Sequence, residues 1–530
     1  MRGHSVFTAG AICAVLAVVG CDALSIGLTG DCDYMLTCAH HDWLQGEGGG
    51  TPNPTCEADP TEDASTVRDE CAVFASASAE PGGDGTKDKP YASLAEAVAK
   101  AGGKRVLACT SGAFAESVTI EAGLKVIGGF DCAAEWTWSA EARSAIEGPA
   151  GQIALTMTGS ASGAKVRSFK VHAASATEPG GSSIGVAVAD VEAELAQVDV
   201  IAGDGMDGAS GETPTAAPQA GASAPAMNAS NACDLPAAVR GGEPGVTTCE
   251  DGETRGGVGG LGGTPGTGEG SGQKGADGAP LPEPNTEEYG LGGAGQTGGN
   301  CRQGEPGAPG GPGGAGDAGS DTQMTLSGIA GGDGRNGTIG RRGQGGGGGG
   351  GAKAGLFCPA GPNTVEGPGA SGGGGGAGGC GGKGGGGGKA GGSSIGIMSL
   401  GTKLVLTEVT VAVGKAGNGG QGASGRRGAD GGMGATGGTA SDHVDSIPGC
   451  KGGDGGRGGP GGPGGGGRGG HAVGIAYAVA PATAVELTEF TAGTAGDGGS
   501  AGPGGSEQHN GVEGESSVCW NFATNEGCGQ

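Results

Sequence analysis

The stretch Gly180-Gly181-Ser182-Ser183-Ile184-Gly185-Val186 decides the fold, because the chain repeats it twice. The other copies are Gly391-Gly392-Ser393-Ser394-Ile395-Gly396-Ile397 and Gly469-Gly470-His471-Ala472-Val473-Gly474-Ile475. An alternating apolar stretch follows each copy, at residues 195–200, 406–411 and 487–491. A repeated strand unit that cannot bury its apolar face alone is typical of a stacked architecture. We therefore expect the three copies to lie on neighbouring strands of one stack.

Composition limits both the size of any core and the choice of partners. The 530 residues include 135 Gly, only 3% are aromatic, and the formal net charge is −27. With so much glycine, only part of the chain has the Val, Ile and Leu patterning that a core needs. The negative charge argues against nucleic acid and anionic membrane surfaces as partners, because both favour Lys and Arg.

The cysteines indicate disulfides. Of the 16 cysteines, Cys13 lies in an N-terminal apolar segment and Cys21 has a separate role, which leaves 14. An even number in a secreted chain is typical of disulfide pairing. A zinc site needs closer Cys-x2-Cys pairs than Cys32 and Cys38, so no metal site is predicted.

Short β-rich runs punctuated by glycine follow a single helical pattern. The helical pattern covers residues 91–102, with Ser93 and Glu96 as a capping box and Gly102 as the stop. We expect this helix to cover an open end of the stack. No helical pattern separates the later runs, which excludes a doubly wound fold. The prediction is an all-β chain, a right-handed parallel β-helix with long Gly-rich insertions.

The spacing of two cysteines gives a specific prediction. Cys109 and Cys132 are 23 residues apart, about one coil of such a stack. Equivalent positions on stacked strands lie about 4.8 Å apart, which suits a disulfide. We therefore predict that Cys109 and Cys132 pair.

The Gly-rich insertions occupy about residues 204–390, 415–468 and 494–515. Glycine recurs at every third position in several runs within them, which is a collagen-like period. The runs are too short and poor in proline for an interchain triple helix. Two alternatives remain: ordered polyglycine or polyproline-II strands packed within one chain, or disordered loops, since glycine loses most entropy on ordering. Disulfides would favour order, and the cysteines available are Cys233, Cys249, Cys301, Cys358, Cys380 and Cys450.

These patterns divide the chain into eight parts. The expected boundaries are a signal peptide at 1–20, a tether and Cys-containing segment at 21–80, the β-helix cap and first coils at 81–203, a Gly-rich insertion at 204–390, a coil at 391–414, an insertion at 415–468, a coil at 469–493, and a Gly-rich, Cys-containing tail at 494–530.

The N-terminus carries a family resemblance. Residues 9–19 form an apolar run with the length of a signal-peptide core, too short to span a bilayer. Val18-Val19-Gly20-Cys21 resembles the lipobox of bacterial lipoproteins. The resemblance implies cleavage before Cys21, lipid attachment to Cys21 and durable anchoring in the cell envelope. The choice of membrane stays open: we favour the outer membrane or surface over the inner membrane, whereas Asp22 after the cysteine is typical of inner-membrane retention in enteric bacteria. The alternative is an ordinary signal peptide with Cys21 in a disulfide.

A second resemblance concerns the fold. Residues 85–94, Glu116-Ser117-Val118-Thr119-Ile120 and Gly128-Gly129-Phe130 are similar to the cap and first coils of pectin-lyase-like β-helices. The similarity is greatest to Gly-rich, PE-PGRS-like extracytoplasmic proteins of myxobacteria. It implies the fold and implies little about function.

The sequence contains no strong motif for polysaccharide catalysis, nucleotide binding or calcium binding. Polysaccharide lyases and hydrolases need clustered acidic or basic residues, whereas the strands present isolated polar residues that we interpret as a solvated face: Gln197, Asp199, Glu408, Thr410 and Glu489. No Gly-x-Gly-x-x-Gly leads from a strand into a helix, and the calcium-binding nonapeptide pattern is incomplete. We interpret Gly469-Gly470-His471 as low-complexity context.

The sequence therefore predicts a non-enzymatic, lipid-anchored envelope protein with a structural or adhesive role and no cofactor. Its expected partners are the membrane, through the anchor, and envelope polysaccharide or surface proteins, without nucleic acid. The alternatives are a carbohydrate-active β-helix enzyme and a protein that binds glycan or ice surfaces.

Overall fold

The computed structural model describes residues 56–481 and 485–528, and their regular structure is almost entirely β. The α-helix α1 spans Leu94–Ala99. Single 3-10 turns lie at Ala64–Thr66, Cys132–Ala134, Pro236–Ala238, Gly268–Gly270 and Glu507–His509. In chain order the strands are β1 Ala72–Ala75, β2 Arg105–Cys109, β3 Ala113–Phe114, β4 Val118–Ile120, β5 Lys125–Asp131, β6 Thr137–Trp138, β7 Ser144–Gly148, β8 Leu155–Met157, β9 Ala164–Ala173, β10 Ser183–Val188, β11 Ala193–Ala202, β12 Val246–Cys249, β13 Gly252–Arg255, β14 Thr322–Thr325, β15 Gly328–Gly331, β16 Gly355–Ala360, β17 Asn363–Gly367, β18 Ser394–Ser399, β19 Leu404–Thr407, β20 Thr410–Val413, β21 Ala472–Tyr477, β22 Glu489–Thr491, β23 Ser516–Asn521 and β24 Glu526–Gly527.

The described residues form two compact units. The first contains residues 56–146, 157–170 and 191–198, and the second contains residues 147–156, 171–190 and 199–528.

Parallel strands build the first unit. Strand β1 pairs with β2, and β2 pairs with β5, both in parallel. Side chains of these strands pack with Val67 and Trp136 in one buried cluster, whose strand members are Ala72, Phe74, Leu107, Cys109, Ile127 and Phe130. The turns between these strands include no helical crossover long enough for a doubly wound fold. The predicted all-β class with parallel sheets is therefore confirmed.

The predicted helix forms as α1, with the serine half of its predicted capping box. The Ser93 side chain accepts a hydrogen bond from the Glu96 N–H. The Glu116 carboxylate adds a cap that the pattern did not reveal, because it accepts from the Leu94 N–H and the Ser93 hydroxyl at 2.6 Å. Leu94 and Val98 are buried where the helix packs against β1, β2 and β4.

In the second unit the three sequence repeats pair as neighbouring parallel strands. Ile184 of β10 lies opposite Ile395 of β18, which lies opposite Val473 of β21. Strand β23 continues the same sheet beyond β21. The prediction that the repeats occupy adjacent strands is therefore confirmed.

The glycine inside each repeat is required by a side chain from a second sheet. In that sheet Val200, Val411 and Phe490 pair in register along β11, β20 and β22. A Cβ on Gly185 would lie 2.4 Å from Val200 Cγ1, and one on Gly396 would lie 2.2 Å from Val411 Cγ1. A Cβ on Gly474 would lie 2.9 Å from the Phe490 ring and 2.6 Å from the Val518 carbonyl oxygen of the neighbouring strand β23. The repeated glycines therefore let the two sheets approach each other.

The Gly-rich insertions are ordered, which settles the two alternatives left open by the sequence. We use the name glycine bundle for the side-by-side segments at residues 204–224, 240–245, 255–263, 272–279, 290–296, 301–319, 332–352, 367–392, 414–439, 448–470, 493–502 and 510–515. Their backbone groups hydrogen-bond to one another instead of to a β-ladder. This satisfies polar groups that burial would otherwise leave unpaired.

The hydrogen bonds of the bundle have a period of three residues. Gly346, Gly347 and Gly348 donate to three different segments, at Gly376, Glu305 and Ala276. The next three donors return to the same segments three residues earlier, at Gly373, Arg302 and Gln273. This pattern matches a three-residue helical turn of the polyproline-II type, with antiparallel neighbours.

The spacing of glycines along a segment indicates on how many sides other segments pack against it. In residues 345–351 a Cβ on any glycine would lie 2.0 to 2.2 Å from a carbonyl oxygen of another segment. In residues 304–319 the glycine at every third position has such a contact, whereas a Cβ on the intervening Gly311 would find its nearest neighbour 3.9 Å away. Uninterrupted glycine therefore marks an interior segment, and Gly-x-x marks an edge segment.

Six disulfides lie within the part of the chain that the structure describes. Three cross-link the bundle: Cys233–Cys358, Cys249–Cys380 and Cys301–Cys450. The others are Cys56–Cys71, Cys109–Cys132 and Cys519–Cys528. Such a set indicates an extracytoplasmic protein, because reducing compartments do not maintain it. Among the described residues, no helix is both long and apolar enough to cross a bilayer.

Candidate functional site

The structure describes some of the residues that the sequence singled out, and it does not describe Cys21. Cys21 lies outside the described residues, so lipid attachment there stays a prediction. Cys109 and Cys132 form a structural disulfide, with their Cα atoms 5.5 Å apart. On the face interpreted as solvated, the Thr410 hydroxyl donates to the Asp199 carboxylate at 2.8 Å.

A cavity of about 370 Å³ in the second unit brings together polar side chains that the sequence keeps far apart. Three structures form its walls: the starts of the three repeats, the hairpin β14–β15, and adjacent segments of the glycine bundle. The polar side chains in these walls are Ser182, Thr322, Asp333, Lys389, Ser393, Arg468 and His471.

Equivalent positions of the three repeats form a hydrogen-bonded ladder along one wall. The Ser393 N–H donates to Ser182 Oγ at 2.9 Å, and the His471 N–H donates to Ser393 Oγ at 3.0 Å. The Glu515 N–H then donates to His471 Nδ1 at 3.1 Å. In both bonds the serine oxygen accepts a hydrogen bond from a backbone N–H. Each serine hydroxyl therefore keeps its own proton, which can be donated to another acceptor.

His471 is held neutral with a defined proton position. Its side chain is 1% exposed, and burial lowers its pKa to about 3, with the positive charge of Arg468 acting in the same direction. Since Nδ1 accepts a hydrogen bond, the ring proton resides on Nε2. Nε2 is buried and has no hydrogen-bond partner within residues 56–481 and 485–528.

Arg468 supplies the positive charge of the cavity. The residue is 4% exposed, and its Nη1 donates to the Ser320 carbonyl. Its Nε is buried and has no partner among the described residues. Burial lowers the pKa of Arg468, and attraction to Glu515 and Asp321 opposes this shift. An arginine remains protonated in such surroundings.

The other two charged groups in the walls neutralise each other. Lys389 Nζ donates to the Asp333 carboxylate at 2.8 Å, and the Ala390 N–H donates to the same carboxylate at 2.9 Å. Among the lining residues this leaves the Arg468 guanidinium, which Asp321 and Glu515 attract from outside the walls.

The hairpin β14–β15 closes one side of the cavity. Its Met324, Leu326 and Ile329 pack against the apolar cluster that contains Ile184 and Ile395. The hairpin interrupts a segment that the sequence shows only as low complexity. The sequence signal for this hairpin is the occurrence of three large apolar residues within six positions, Met324 to Ile329, inside a Gly-rich insertion.

Protonation of His471 should weaken the fold at acidic pH. Since folding lowers the pKa of His471, the unfolded chain binds a proton between about pH 6.5 and 3 while the folded chain does not. Stability is therefore full above pH 6.5 and falls as the pH drops, by roughly 2 kcal/mol at pH 5 from this residue.

The variant His471→Ser isolates this effect, because serine occupies the equivalent position in the other two repeats. We expect the loss of unfolding free energy between pH 7 and pH 5 to be about 2 kcal/mol smaller in the variant. Urea titrations at both pH values measure it. An identical loss in the two proteins would contradict the assignment.

Sequence reasoning missed this cavity. Gly469-Gly470-His471 was interpreted as low-complexity context, yet His471 lies in the wall next to a buried cation. Comparison with protein-family models, with curated proteins and with solved structures finds no match to this chain, so its function has to be inferred from its own residues.

Proposed function

We propose that this chain is a lipid-anchored protein of the cell envelope, built on a right-handed parallel β-helix and serving a structural or adhesive role without catalysis. The parallel registers of β10, β18 and β21 support the β-helix. A recurring corner supports it too, because Ser168, Gln197 and Glu408 have positive φ at the same position of the repeated apolar pattern.

The observation that carries the proposed role is the order of the glycine bundle. Its segments pack through backbone hydrogen bonds on several sides and are cross-linked by three disulfides. The arrangement resists unfolding without a large apolar core and presents side chains at fixed intervals. On the edge segment these include the exposed Pro306, Pro309 and Pro312. A rigid, regular surface of this kind suits contact with another surface.

Lipid anchoring agrees with the extracytoplasmic location that the disulfides indicate. The lipobox-like residues before Cys21 mark the cleavage site, and Cys21 is the attachment site. The net charge of −27 favours contact with neutral or basic groups of envelope polysaccharide and surface proteins over contact with anionic polymers.

The anchor is tested by expressing the variant Cys21→Ala and separating membranes from soluble proteins. We expect Cys21→Ala to appear in the soluble fraction and to lose labelling by radioactive fatty acid. The matched control is Cys13→Ala, which changes a cysteine of the same segment and should remain with the membrane. Membrane association of Cys21→Ala equal to that of the wild type would contradict the proposal.

The role is tested with the soluble Cys21→Ala protein and purified envelope polysaccharide. We expect retention of the protein on immobilised polysaccharide with its disulfides intact, and loss of retention after reduction. Release of reducing or unsaturated sugar ends would instead favour the carbohydrate-active enzyme.

A further inference from the structure

One lane of the glycine bundle is filled over only part of its length. Its two walls are the segments 414–439 and 448–470, and the segment 493–502 lies between them. The first wall donates to this inserted segment and the second wall accepts from it: Gly419 and Gly422 donate to the Asp497 and Ser500 carbonyls, while Gly499 and Gly502 donate to the Gly467 and Gly464 carbonyls. The inserted segment ends in a turn at Pro503, whereas the two walls continue side by side.

Past this turn the walls present the same backbone groups at the same spacing, and we call this stretch the open lane. Its donors are the N–H groups of Gly425, Gly428 and Gly431, which have no hydrogen-bond partner among the described residues. Its acceptors are the carbonyls of Gly461, Gly458 and Gly455, which accept no hydrogen bond from residues 56–481 and 485–528. Three donors therefore lie beside three acceptors, in continuation of those that hold the inserted segment.

The open lane can be reached from outside the bundle. Gly461 is partly exposed, whereas Gly464, which accepts from the inserted segment, is buried. The surroundings of the first wall change in the same way. A Cβ on Gly422 would lie 2.8 Å from the Gly502 nitrogen of the inserted segment, whereas the three atoms nearest to a Cβ on Gly425 all belong to the second wall.

Two side-chain contacts join the walls and limit the open lane. The Gly434 N–H donates to the Asp454 carboxylate at 2.9 Å, so this carboxylate takes the place of a segment carbonyl and ends the lane. Arg457 and Asp430 form an ion pair between the walls, close in sequence to the buried Gly428. These two side chains are 42% and 77% exposed, and so exposed a pair contributes little to stability. The pair can therefore separate to admit a segment.

The inserted segment defines what the open lane accepts. A Cβ on Gly496, Gly499 or Gly502 would lie 1.9 to 2.1 Å from a carbonyl oxygen of the first wall, so an occupant needs glycine at every third residue. The other positions can carry side chains, as the exposed Asp497 and Ser500 do. Since the donors recur every three residues, the occupant is extended in the polyproline-II conformation.

The occupant has to come from a different chain. In the described part of this protein the glycine rows of the bundle already donate within the bundle, as Gly304, Gly307 and Gly310 of the edge segment do. A second copy therefore brings no free segment of this kind from those residues.

We propose that the open lane binds an extended Gly-x-x segment of another protein, which adds one polyproline-II segment to the glycine bundle. Main-chain hydrogen bonds to both walls hold this segment, as they hold a strand added to the edge of a β-sheet. The site names a partner class for the contact role proposed above and rests on that role. The two can fail separately, because polysaccharide retention and peptide binding are measured with different probes.

The test uses the full chain carrying Cys21→Ala and a synthetic peptide with the sequence of residues 304–313, Gly-Glu-Pro-Gly-Ala-Pro-Gly-Gly-Pro-Gly. Its prolines favour the polyproline-II conformation. The control peptide has alanine at the first, fourth, seventh and tenth positions, so it keeps the prolines but adds a Cβ at every third residue. We expect the control to bind at least about tenfold more weakly in an NMR titration, because each Cβ would overlap a wall carbonyl. Equal binding of the two peptides, or no binding of the first up to about 5 mM, would overturn the proposal.

Amide exchange of protein labelled with 15N-glycine locates the bound peptide. We expect Gly425, Gly428 and Gly431 to exchange rapidly in the free protein and at least about tenfold more slowly with saturating peptide. Gly419 and Gly422 are the matched controls, because they already donate to the inserted segment and should be slow in both states. Unchanged exchange at the three open-lane glycines, with the peptide bound, would overturn the assignment of the site.

Light scattering of the same protein distinguishes a separate chain from a second copy. We expect one molar mass with and without the peptide. A dimer that the peptide dissociates would show that a second copy fills the open lane, and would overturn the assignment to a different protein.

Discussion

Replacing Gly348 by alanine is expected to destabilise the glycine bundle by about 3 kcal/mol or more. The added Cβ would lie 2.0 Å from the Val258 carbonyl oxygen and 2.5 Å from its carbon. These are backbone atoms, so relief requires moving a whole segment. The Gly348 N–H itself donates to the Ala276 carbonyl at 2.8 Å, and such a movement would break hydrogen bonds of this kind.

The matched control is Gly311→Ala in the edge segment. A Cβ there would lie 3.9 Å from Arg341 Cδ, so it fits without strain. Alanine also reduces the entropy of the unfolded chain, and we expect stability to be unchanged or raised by about 0.4–1 kcal/mol. Guanidinium titrations followed by circular dichroism measure both variants. Equal stabilities would mean that residues 345–351 are not interior.

The second large effect concerns the disulfide that closes the longest loop among those described. Cys301 and Cys450 are separated by 149 residues, so removing their bond with a double alanine variant should cost roughly 5 kcal/mol by the loop-entropy estimate. The comparison is the double variant of Cys519 and Cys528, which are 9 residues apart, with an expected cost of roughly 2.5 kcal/mol.

Differential scanning calorimetry under non-reducing conditions measures these costs. A loss for the Cys301 and Cys450 variant no larger than that for Cys519 and Cys528 would show that the bundle segments do not separate on unfolding. The loop-entropy contribution would then be absent, since it arises only in the unfolded chain.

Features set by local rules could be predicted from the sequence. The Ser93 half of the capping box at helix α1 could be predicted, because its side chain accepts from the Glu96 N–H three residues on. The repeats at Ile184, Ile395 and Val473 could be aligned because they share a pattern. Cys109 and Cys132 could be paired from their spacing of 23 residues, and they bond where the parallel strands β2 and β5 end.

Features set by distant neighbours could not be predicted. The order of the glycine bundle depends on backbone contacts, and glycine has no side chain to signal which segment it will meet. The ladder in the cavity joins Ser182 to Ser393 across 211 residues, and Ser393 to His471 across 78. Arg468 gives no local sign that it will be buried, since its neighbours in sequence are glycines.

Hydrogen exchange of the glycine amides tests the central claim, that the Gly-rich insertions form a hydrogen-bonded bundle. NMR spectra of protein labelled with 15N-glycine, recorded after transfer to D2O, report the protection of residues 345–351. Since all seven of these N–H groups, at Gly345 to Gly351, donate to neighbouring segments, we expect them to exchange only with opening of the bundle, over hours or longer. Exchange within the first spectrum, at the rate of an unstructured chain, would contradict the bundle.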